Sequence, residues 1–455
     1  VNISNYDFMN DRGKKDKKEE KSEEPEQVTA AADSTDADGK EFKLPIQRNY
    51  ERTFYVNQLV SQLDNNFLNS NYQTFTGGGA IYMSDLNALF KFGISDVMED
   101  YKITGGFRLS GDFSSNEYML SFENLKGRLD KQLIFHRQSF LLGSDISRVR
   151  SHMHELSYRL NWPFNEVLSA RFTFVYRNDR NAFQAVDFRS LQVGNINTNR
   201  AGIRSELVFD NTRSKGLNLL LGSRWKIWGE YYNNLDIMGS LRGDVIARLN
   251  PTDQRIFVVG ADFRHYMKLH REIIWANHFG ASTSMGTQKL IYYLGGVDNW
   301  LFPKFDNDIP IDYSQPYVFQ TLATNMRGFI QGVRNGVSFT ALNSEVRIPV
   351  FRYFFTRPIK SDFLYNFQVV AFGDIGTAWT GKTPYSNDNS LNTKTIYQKP
   401  VTVSLFRQIE PIVAGYGAGL RARVWGYFLR TDWAWGIEDG EISKPVFYLS
   451  LSLDF

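Results

Sequence analysis

Histidines are the residues of this chain with the clearest capacity for chemistry, but their spacing does not build a complete site. His152 and His154 project to the same side of an extended strand, a spacing that suits two ligands of a transition metal. The sequence indicates no third ligand beside them. Three further histidines are His265, His270 and His278. The sequence offers them no nucleophilic serine in the Gly-x-Ser-x-Gly pattern of many hydrolases. We therefore predict no metal site, no cofactor and no enzyme activity in this chain.

The sequence offers no other group that is expected to react or to bind nucleic acid. The 455-residue chain has no cysteine, which excludes disulfides, thiol catalysis and cysteine-bound metals. The paired carboxylates Glu438 and Asp439 fall in a predicted turn, and the glycines at 77–79 lack the strand and helix of a phosphate-binding loop. The 52 Lys and Arg residues nearly balance 49 Asp and Glu and are scattered along the chain. Nucleic acid is therefore not an expected partner.

The N-terminal 48 residues differ in composition from the rest of the chain. Of the 16 positions in 11–26, 13 are charged, and the stretch after them is rich in Ala, Ser, Thr, Asp and Gly. Such a segment has little to bury, so residues 1–48 are predicted to be a disordered charged linker. The alternative is a charged tail that docks on a partner. The start at Val1, without a signal peptide, suggests a processed or excised product.

Two periods of hydrophobicity follow the linker. Tyr55, Leu59, Leu63 and Phe67 recur every four residues, which indicates a short amphipathic helix, or a loop, within residues 49–75. From about residue 77 to the end, apolar residues instead alternate with polar ones in about 16 segments. The clearest apolar face is the last one, formed by Phe447, Leu449, Leu451, Leu453 and Phe455.

Long alternating strands favour a membrane barrel over a soluble β-propeller or sandwich. The segments run about 10–14 residues, which matches a tilted membrane-crossing strand and exceeds ordinary strands. No repeat of about 40 residues is visible, aromatic residues gather near strand ends, and long and short connections alternate. We predict an all-β fold, a transmembrane antiparallel β-barrel of about 16 strands over residues 76–455. A soluble all-β binding protein is the competing interpretation.

Several motifs in the last third resemble the BamA/TamA outer-membrane assembly superfamily, also called the bacterial surface antigen family. The first is a Gly-Gly pair at 295–296, and the second is Met326-Arg327-Gly328-Phe329. Three strands follow in order. The first contains Glu345, the second contains Asp374, and the third begins at residue 415 with Gly-Tyr-Gly-Ala-Gly-Leu-Arg. In this chain about 30 residues separate the first two motifs, whereas they lie close together in most relatives.

The resemblance implies a specific lumen structure. It implies 16 strands and a long loop, about 285–341, that folds into the lumen and places Arg327 against inner-wall carboxylates at the positions of Glu345 and Asp374. The alternation of residues along the strands independently supports an inward direction for both carboxylates. Each lies an even number of residues from polar neighbours on its own strand, and such positions share one face. A desolvated guanidinium also requires such partners.

The same resemblance implies a function and a location. It implies insertion or export of outer-membrane or surface proteins, in the outer membrane of a Gram-negative bacterium. The implied partners are outer-membrane lipid and other outer-membrane or periplasmic proteins, in a multi-subunit complex, with the 49–75 segment in the periplasm. The first and last strands, about 78–95 and 446–455, would meet at a weak seam where a client strand can add. A passive membrane anchor or pore is the alternative function.

Overall fold

The computed structural model describes most of the chain beyond the linker. The described residues are 53–64, 68, 72–75, 81–82, 87–110, 115–144, 147–184, 194–238, 248–306, 309–355, 357–398, 401–407 and 409–451. Two units divide the chain, Val1–Glu51 and Arg52–Phe455, and every described residue belongs to the second. The linker predicted over 1–48 lies outside the described residues.

Sixteen strands pair in sequence, each antiparallel to the next, in one large sheet. In chain order they are β1 (Phe54–Asp64), β3 (Asn87–Asp96), β4 (Tyr101–Leu109), β5 (Asn116–Asn124), β6 (Asp130–Ser144), β7 (Ser147–Pro163), β8 (Leu168–Gln184), β9 (Ile196–Asp210), β11 (Leu219–Met238), β12 (Arg248–His270), β13 (Ile273–Gly286), β17 (Ser338–Ile348), β18 (Gln368–Trp379), β21 (Val413–Val424), β22 (Tyr427–Glu438) and β24 (Val446–Leu451).

The remaining elements are short. They are the strands β2 (Gln73–Thr74), β10 (Arg213–Gly216), β14 (Lys289–Leu294), β15 (Tyr317–Leu322), β16 (Arg334–Gly336), β19 (Thr393–Gln398), β20 (Val401–Phe406) and β23 (Glu441–Ile442), and the helices α1 (Val350–Phe354) and α2 (Asp362–Asn366). Both helices lie in the connection between β17 and β18. Among the described residues, no helix is long and apolar enough to cross a membrane.

The two faces of the large sheet have opposite chemistry, as its alternating sequence predicts. On β8, Phe172, Phe174 and Tyr176 are exposed, whereas Thr173 and Arg177 between and beside them are buried. The pleat sends successive side chains to opposite faces, so one face is apolar and exposed and the other is polar and covered. A soluble sheet protein has the reverse arrangement. The predicted all-β antiparallel architecture is therefore confirmed, and the soluble alternative is disfavoured.

The long connection between β13 and β17, residues 287–337, packs against the polar face of the large sheet; we call it the lumen loop. Its strand β14 pairs in parallel with β15 and antiparallel with β16, and β15 pairs with β2. The roughly 30 residues between the Gly-Gly and Arg-Gly motifs thus contain a strand, β15, which widens this inner sheet.

Contacts of the interior segments reach strands far apart in the large sheet. Tyr72 donates to Glu230 on β11, at 3.0 Å, and Thr74 to Asp179 on β8, at 3.3 Å. The ring of Tyr82 stacks on Phe140 of β6. Other lumen-loop residues contact β13, β17, β18, β21, β22 and β24. A sheet that touches one central body with a single face over so many strands must curl around it, as a barrel does.

One correction concerns the start of the barrel. The helix predicted from Tyr55, Leu59 and Leu63 is wrong, because residues 54–64 form β1 and pair along their length with β3. A spacing of four residues fits a helical face, but it also keeps every side chain on one face of a strand. The predicted first strand, 78–95, is in part the second strand β3, so the barrel begins near residue 54 and not 76.

Candidate functional site

Arg327 lies at the tip of the lumen loop and is completely buried. Its Nε and Nη2 atoms donate to the two carboxylate oxygens of Asp374, at 2.7 and 2.6 Å, and its backbone N–H donates to the same carboxylate at 3.1 Å. Its Nη1 atom donates to Glu345. The guanidinium carbon also lies 3.7 Å from the ring centroid of Phe372. The structure thus brings together the three charged residues that the sequence singled out.

Two neighbouring strands supply the carboxylates. Asp374 on β18 faces Asn343 on β17 in the ladder, and Glu345 lies two residues farther along β17. Both carboxylates point into the lumen, because positions of the same parity on each strand are buried. Burial alone would lower the pKa of the Arg327 guanidinium, but Asp374 and Glu345 outweigh it and raise that pKa, so the group stays charged.

The ion pair belongs to a larger buried network on the inner wall. Glu345 also accepts from Arg347 Nε at 2.9 Å, and its Oε1 lies 3.7 Å from Arg421 Nη2. Arg421 in turn donates to Asp432 at 2.6 Å. Each carboxylate therefore neutralises positive charge in a region dominated by guanidinium groups. Removing a carboxylate would leave a buried guanidinium charge without compensation.

Glycines allow the loop tip to approach the wall. Gly328 has a φ of 100°, in the left-handed region, and a Cβ there would lie 2.7 Å from the backbone of Trp435 and Gly436. Gly415 on β21 faces the tip from the wall, and a Cβ at that position would overlap the carbonyl oxygen of Arg327. The Arg-Gly turn therefore fits only where both sides lack a side chain.

The other two residues of the motif are buried beside the turn. Met326 belongs to the main apolar cluster of the lumen, and Phe329 places its ring against Gly436 of β22. A Cβ at position 436 would lie 2.5 Å from that ring. All four residues of the Met-Arg-Gly-Phe motif thus contribute to one packed turn.

Tyr448 connects the last strand to this turn. Its hydroxyl accepts from the backbone N–H of Gly328 at 2.9 Å and donates to the carbonyl of Phe329 at 2.6 Å. The side chain is fully buried. Sequence reasoning missed this role of Tyr448, because its partners lie about 120 residues away in the chain.

The free edge of the last strand is occupied by the lumen loop. Leu301 donates its N–H to the carbonyl of Leu449 at 2.9 Å, and Leu451 donates to the carbonyl of Asn299 at 3.4 Å. Trp300 and Ser450 form the antiparallel bridge between these bonds. Backbone groups of alternate residues point to opposite edges of a strand, so this edge is the one that faces away from β22. We call residues 299–301 the edge cap.

Side-chain packing reinforces the edge cap. The ring of Trp300 meets that of Tyr448 edge to face, with centroids 4.9 Å apart. Over the described residues of β1 and β24, no ladder joins these two strands. The seam predicted between about 78–95 and 446–455 stays a prediction.

The predicted terminal face is partly described. Phe447 is 48% exposed, and Leu449 and Leu451 are partly exposed on the outer face, while Tyr448 and Ser450 between them are buried. Leu453 and Phe455 lie outside the described residues. The alternation agrees with an apolar outer face for the last strand.

The histidines are dispersed between the two faces. His152 and His154 are half-buried on the outer face of β7. His278 lies inside, 3.3 Å from Asp262 and 3.2 Å from Asn343. In the part of the chain that the structure describes, no group of three or more His, Cys, Asp or Glu side chains could hold a metal ion.

The chain is similar to solved structures of two named proteins. BamA from Haemophilus ducreyi lacking POTRA domains 1–3 is 13% identical, with a TM-score of 0.48, over 87% of this chain and 75% of that chain. CdiB from Escherichia coli is 13% identical, with a TM-score of 0.44, over 86% of this chain and 66% of that one. CdiB from Acinetobacter baumannii is 11% identical, with a TM-score of 0.44, over 81% and 57%.

The chain thus spans 66% and 57% of the two CdiB chains. No family model and no curated protein matches it.

Proposed function

We propose that this chain is an outer-membrane barrel of a Gram-negative bacterium that takes part in inserting or exporting outer-membrane or surface proteins, as a subunit of a complex. The observation that carries the proposal is the hydrogen bonding at the edge of the last strand, β24. Its free edge is held by three residues of the lumen loop, and a strand edge is the surface on which another strand adds.

The outer face supports a membrane location. Exposed Phe, Tyr, Leu and Ile side chains recur at every second position of the large sheet, on strands from β3 to β24. In water such a surface would be a large exposed apolar patch, whereas in a bilayer it is satisfied by lipid. Polar side chains line the covered inner face, and consecutive strands of the large sheet pair with each other, as the backbone of a spanning segment requires.

The edge cap is short. Two backbone hydrogen bonds, the aromatic pair with Tyr448 and the buried packing of the Trp300 ring against Val370 and Phe372 hold it. A client strand that pairs with all six residues of β24 forms more hydrogen bonds than the cap does. Release of residues 299–301 would therefore open the edge, and the client strand would replace them.

The passive anchor or pore is the alternative function. A pore needs an open lumen, but the lumen loop fills the interior with a buried apolar cluster that includes Leu290, Phe319 and Val333. This packing argues against free diffusion of solutes. A passive anchor would keep this packing and would not need a displaceable edge cap.

A disulfide across the edge cap tests the proposal. Trp300 and Ser450 are a non-hydrogen-bonded antiparallel pair, whose Cα atoms typically lie ~4.5 Å apart, within the range of disulfides. Because the chain has no cysteine, Trp300→Cys with Ser450→Cys creates a single possible bridge. We expect the oxidised variant, as the only copy in cells, to reduce at least one outer-membrane or surface protein tenfold, and a reductant to restore it.

The control is Trp300→Ser with Ser450→Cys, which loses the same indole but cannot form the bridge. Protein abundance in isolated outer membranes, measured by mass spectrometry, provides the readout. Loss of many proteins would indicate general insertion, and loss of one would indicate dedicated export. A fully oxidised variant with an unchanged protein inventory would contradict the proposal and favour the passive anchor.

A further inference from the structure

The outer face of the barrel carries an apolar groove on one side. Its volume is about 490 Å³, and it spans strands β6 to β11. Ala201 makes the depression, because its small side chain lies between the larger cross-strand neighbours Tyr176 and Asn233. The walls are large apolar and aromatic side chains, among them Leu156, Phe174 and Ile203.

A cluster of cationic and titratable side chains adjoins this groove on the same face. On β7, positions 150, 152 and 154 precede the groove residue Leu156 at two-residue spacing, so all four side chains point outward. Across the neighbouring ladders, Arg137 of β6 faces position 154, and Arg180 of β8 faces position 152. We call this set the outer basic cluster, and its members are Arg137, Arg150, His152, His154 and Arg180.

Over the described parts of β5 to β9, no carboxylate lies on the outer face beside the cluster. The nearest carboxylates in sequence, Glu155 and Asp179, alternate to the inner face, where Asp179 pairs with guanidinium groups of the lumen. Among the residues that the structure describes, none forms an ion pair with the three arginines of the cluster. Nε of Arg150 is buried and has no hydrogen-bond partner. Arg137 donates to the neutral amide of Asn116 at 2.9 Å, and its guanidinium carbon lies 5.5 Å from the ring centroid of Tyr118; neither partner carries a negative charge.

The arginines are spread over three strands. A strand rise of ~3.3 Å and a strand spacing of ~4.8 Å place their Cα atoms roughly 8–14 Å apart. An anion that engages all three must therefore present more than one charged group, or one group that the long side chains reach from several directions. Phosphate groups suit this set, because guanidinium binds phosphate through paired hydrogen bonds.

The position of the outer basic cluster along the strands indicates which leaflet of the membrane it is nearer to. The groove lies toward the tight β7–β8 turn, and the arginines lie toward the connections that include residues 185–195 and 239–247. In outer-membrane barrels the longer connections face outward. In that orientation the cluster lies nearer the outer surface of the membrane than the groove does.

From this arrangement we infer that the outer face of β6–β9 is a binding site for a phosphorylated glycolipid of the outer leaflet, with acyl chains in the groove and phosphates on Arg137, Arg150 and Arg180. The inference rests on the proposed outer-membrane location. It assigns these arginines to lipid recognition, separate from the lumen loop and the edge cap. Uncompensated charge at a lipid-facing surface is costly, and a bound anionic head group removes that cost.

Binding of defined lipids to the purified full chain tests the inference. Native mass spectrometry in detergent would count bound molecules of bis-phosphorylated lipid A, of the same lipid after phosphate removal, and of phosphatidylglycerol. We expect lipid A to bind at least tenfold more tightly than either of the others. The triple variant Arg137→Gln, Arg150→Gln and Arg180→Gln should lose this preference.

Matched variants separate the two halves of the site. Ala201→Trp fills the groove without touching a cation and should weaken lipid A binding several-fold. Arg213→Gln, Arg255→Gln and Lys268→Gln remove three exposed cations elsewhere and should leave binding unchanged. A heat-modifiable band on semi-native gels verifies that each variant is folded.

Three results would overturn the inference. They are equal binding of lipid A by the triple variant and the native chain, equal binding of the lipid with and without phosphates, and equal binding of phosphatidylglycerol. Failure of the proposed function is distinguishable, because it would appear as an unchanged protein inventory in the disulfide experiment. A chain that does not float with vesicles would refute the membrane location on which both proposals rest.

Discussion

Replacing Arg327 by alanine is expected to cost roughly 3–5 kcal/mol of barrel stability, the typical effect of breaking a buried ion pair. The reason is the carboxylate that remains. In the alanine variant Asp374 loses both guanidinium hydrogen bonds and retains the backbone bond, whereas Glu345 keeps Arg347 as a partner. The measurement is the temperature at which the folded band disappears on a semi-native gel, which should fall clearly in the variant.

Two further variants identify the cause of that loss. Arg327→Ala combined with Asp374→Asn removes the stranded charge and should recover part of the stability. Arg327→Lys keeps the charge but not the planar fork, so its stability should lie between that of the native chain and the alanine variant. Arg213→Ala, at an exposed position on β10, is the control. If Arg327→Ala melted at the same temperature as this control, the ion pair would have no structural role.

Adding one methyl group at Gly415 should displace the tip of the lumen loop. A Cβ there would overlap the carbonyl oxygen of Arg327, and backbone atoms of a packed turn cannot move aside as a flexible side chain would. Overpacking of this kind typically costs about 1–3 kcal/mol or more. Because Arg327 is fully buried, displacement should make the bond after it accessible to trypsin, with cleavage in the native barrel at least tenfold faster.

Gly373 offers a matched control on the adjacent strand β18. A Cβ at that position would meet only the carbonyl oxygen of Gly415, at 3.9 Å, an ordinary contact. Gly373→Ala should therefore resist cleavage after Arg327 as the native chain does. Equal resistance of Gly415→Ala and Gly373→Ala, with fragments assigned by mass spectrometry, would refute the close fit between tip and wall.

The sequence predicted the parts of the fold that depend on local alternation. Because a strand exposes one face to each environment, the parity of Glu345 and Asp374 and of the β24 residues followed from the pattern itself. The number of strands followed as well. The same reasoning failed over residues 54–64, where a spacing of four fits a helix and a strand equally, and only the pairing with β3 decides.

Contacts between distant segments could not be predicted in this way. Trp300 belongs to a loop without periodicity, and nothing in its neighbourhood indicates that it bridges Ser450 of the last strand. The roughly 30 residues between the Gly-Gly and Met-Arg-Gly-Phe motifs show no sequence pattern that predicts the strand β15. The contacts of Arg347 and Arg421 with Glu345 depend on tertiary placement, which strand parity does not determine.

The central claim is that lipid contacts the outer face of the barrel while the inner face covers the lumen loop, and one measurement along β24 tests it directly. Single cysteines at positions 447–451 of the cysteine-free chain, labelled with a fluorophore in vesicles, can be exposed to quenchers attached to acyl chains. We predict strong quenching at Phe447, Leu449 and Leu451 and weak quenching at Tyr448 and Ser450. Uniform quenching, or the inverse alternation, would contradict the account.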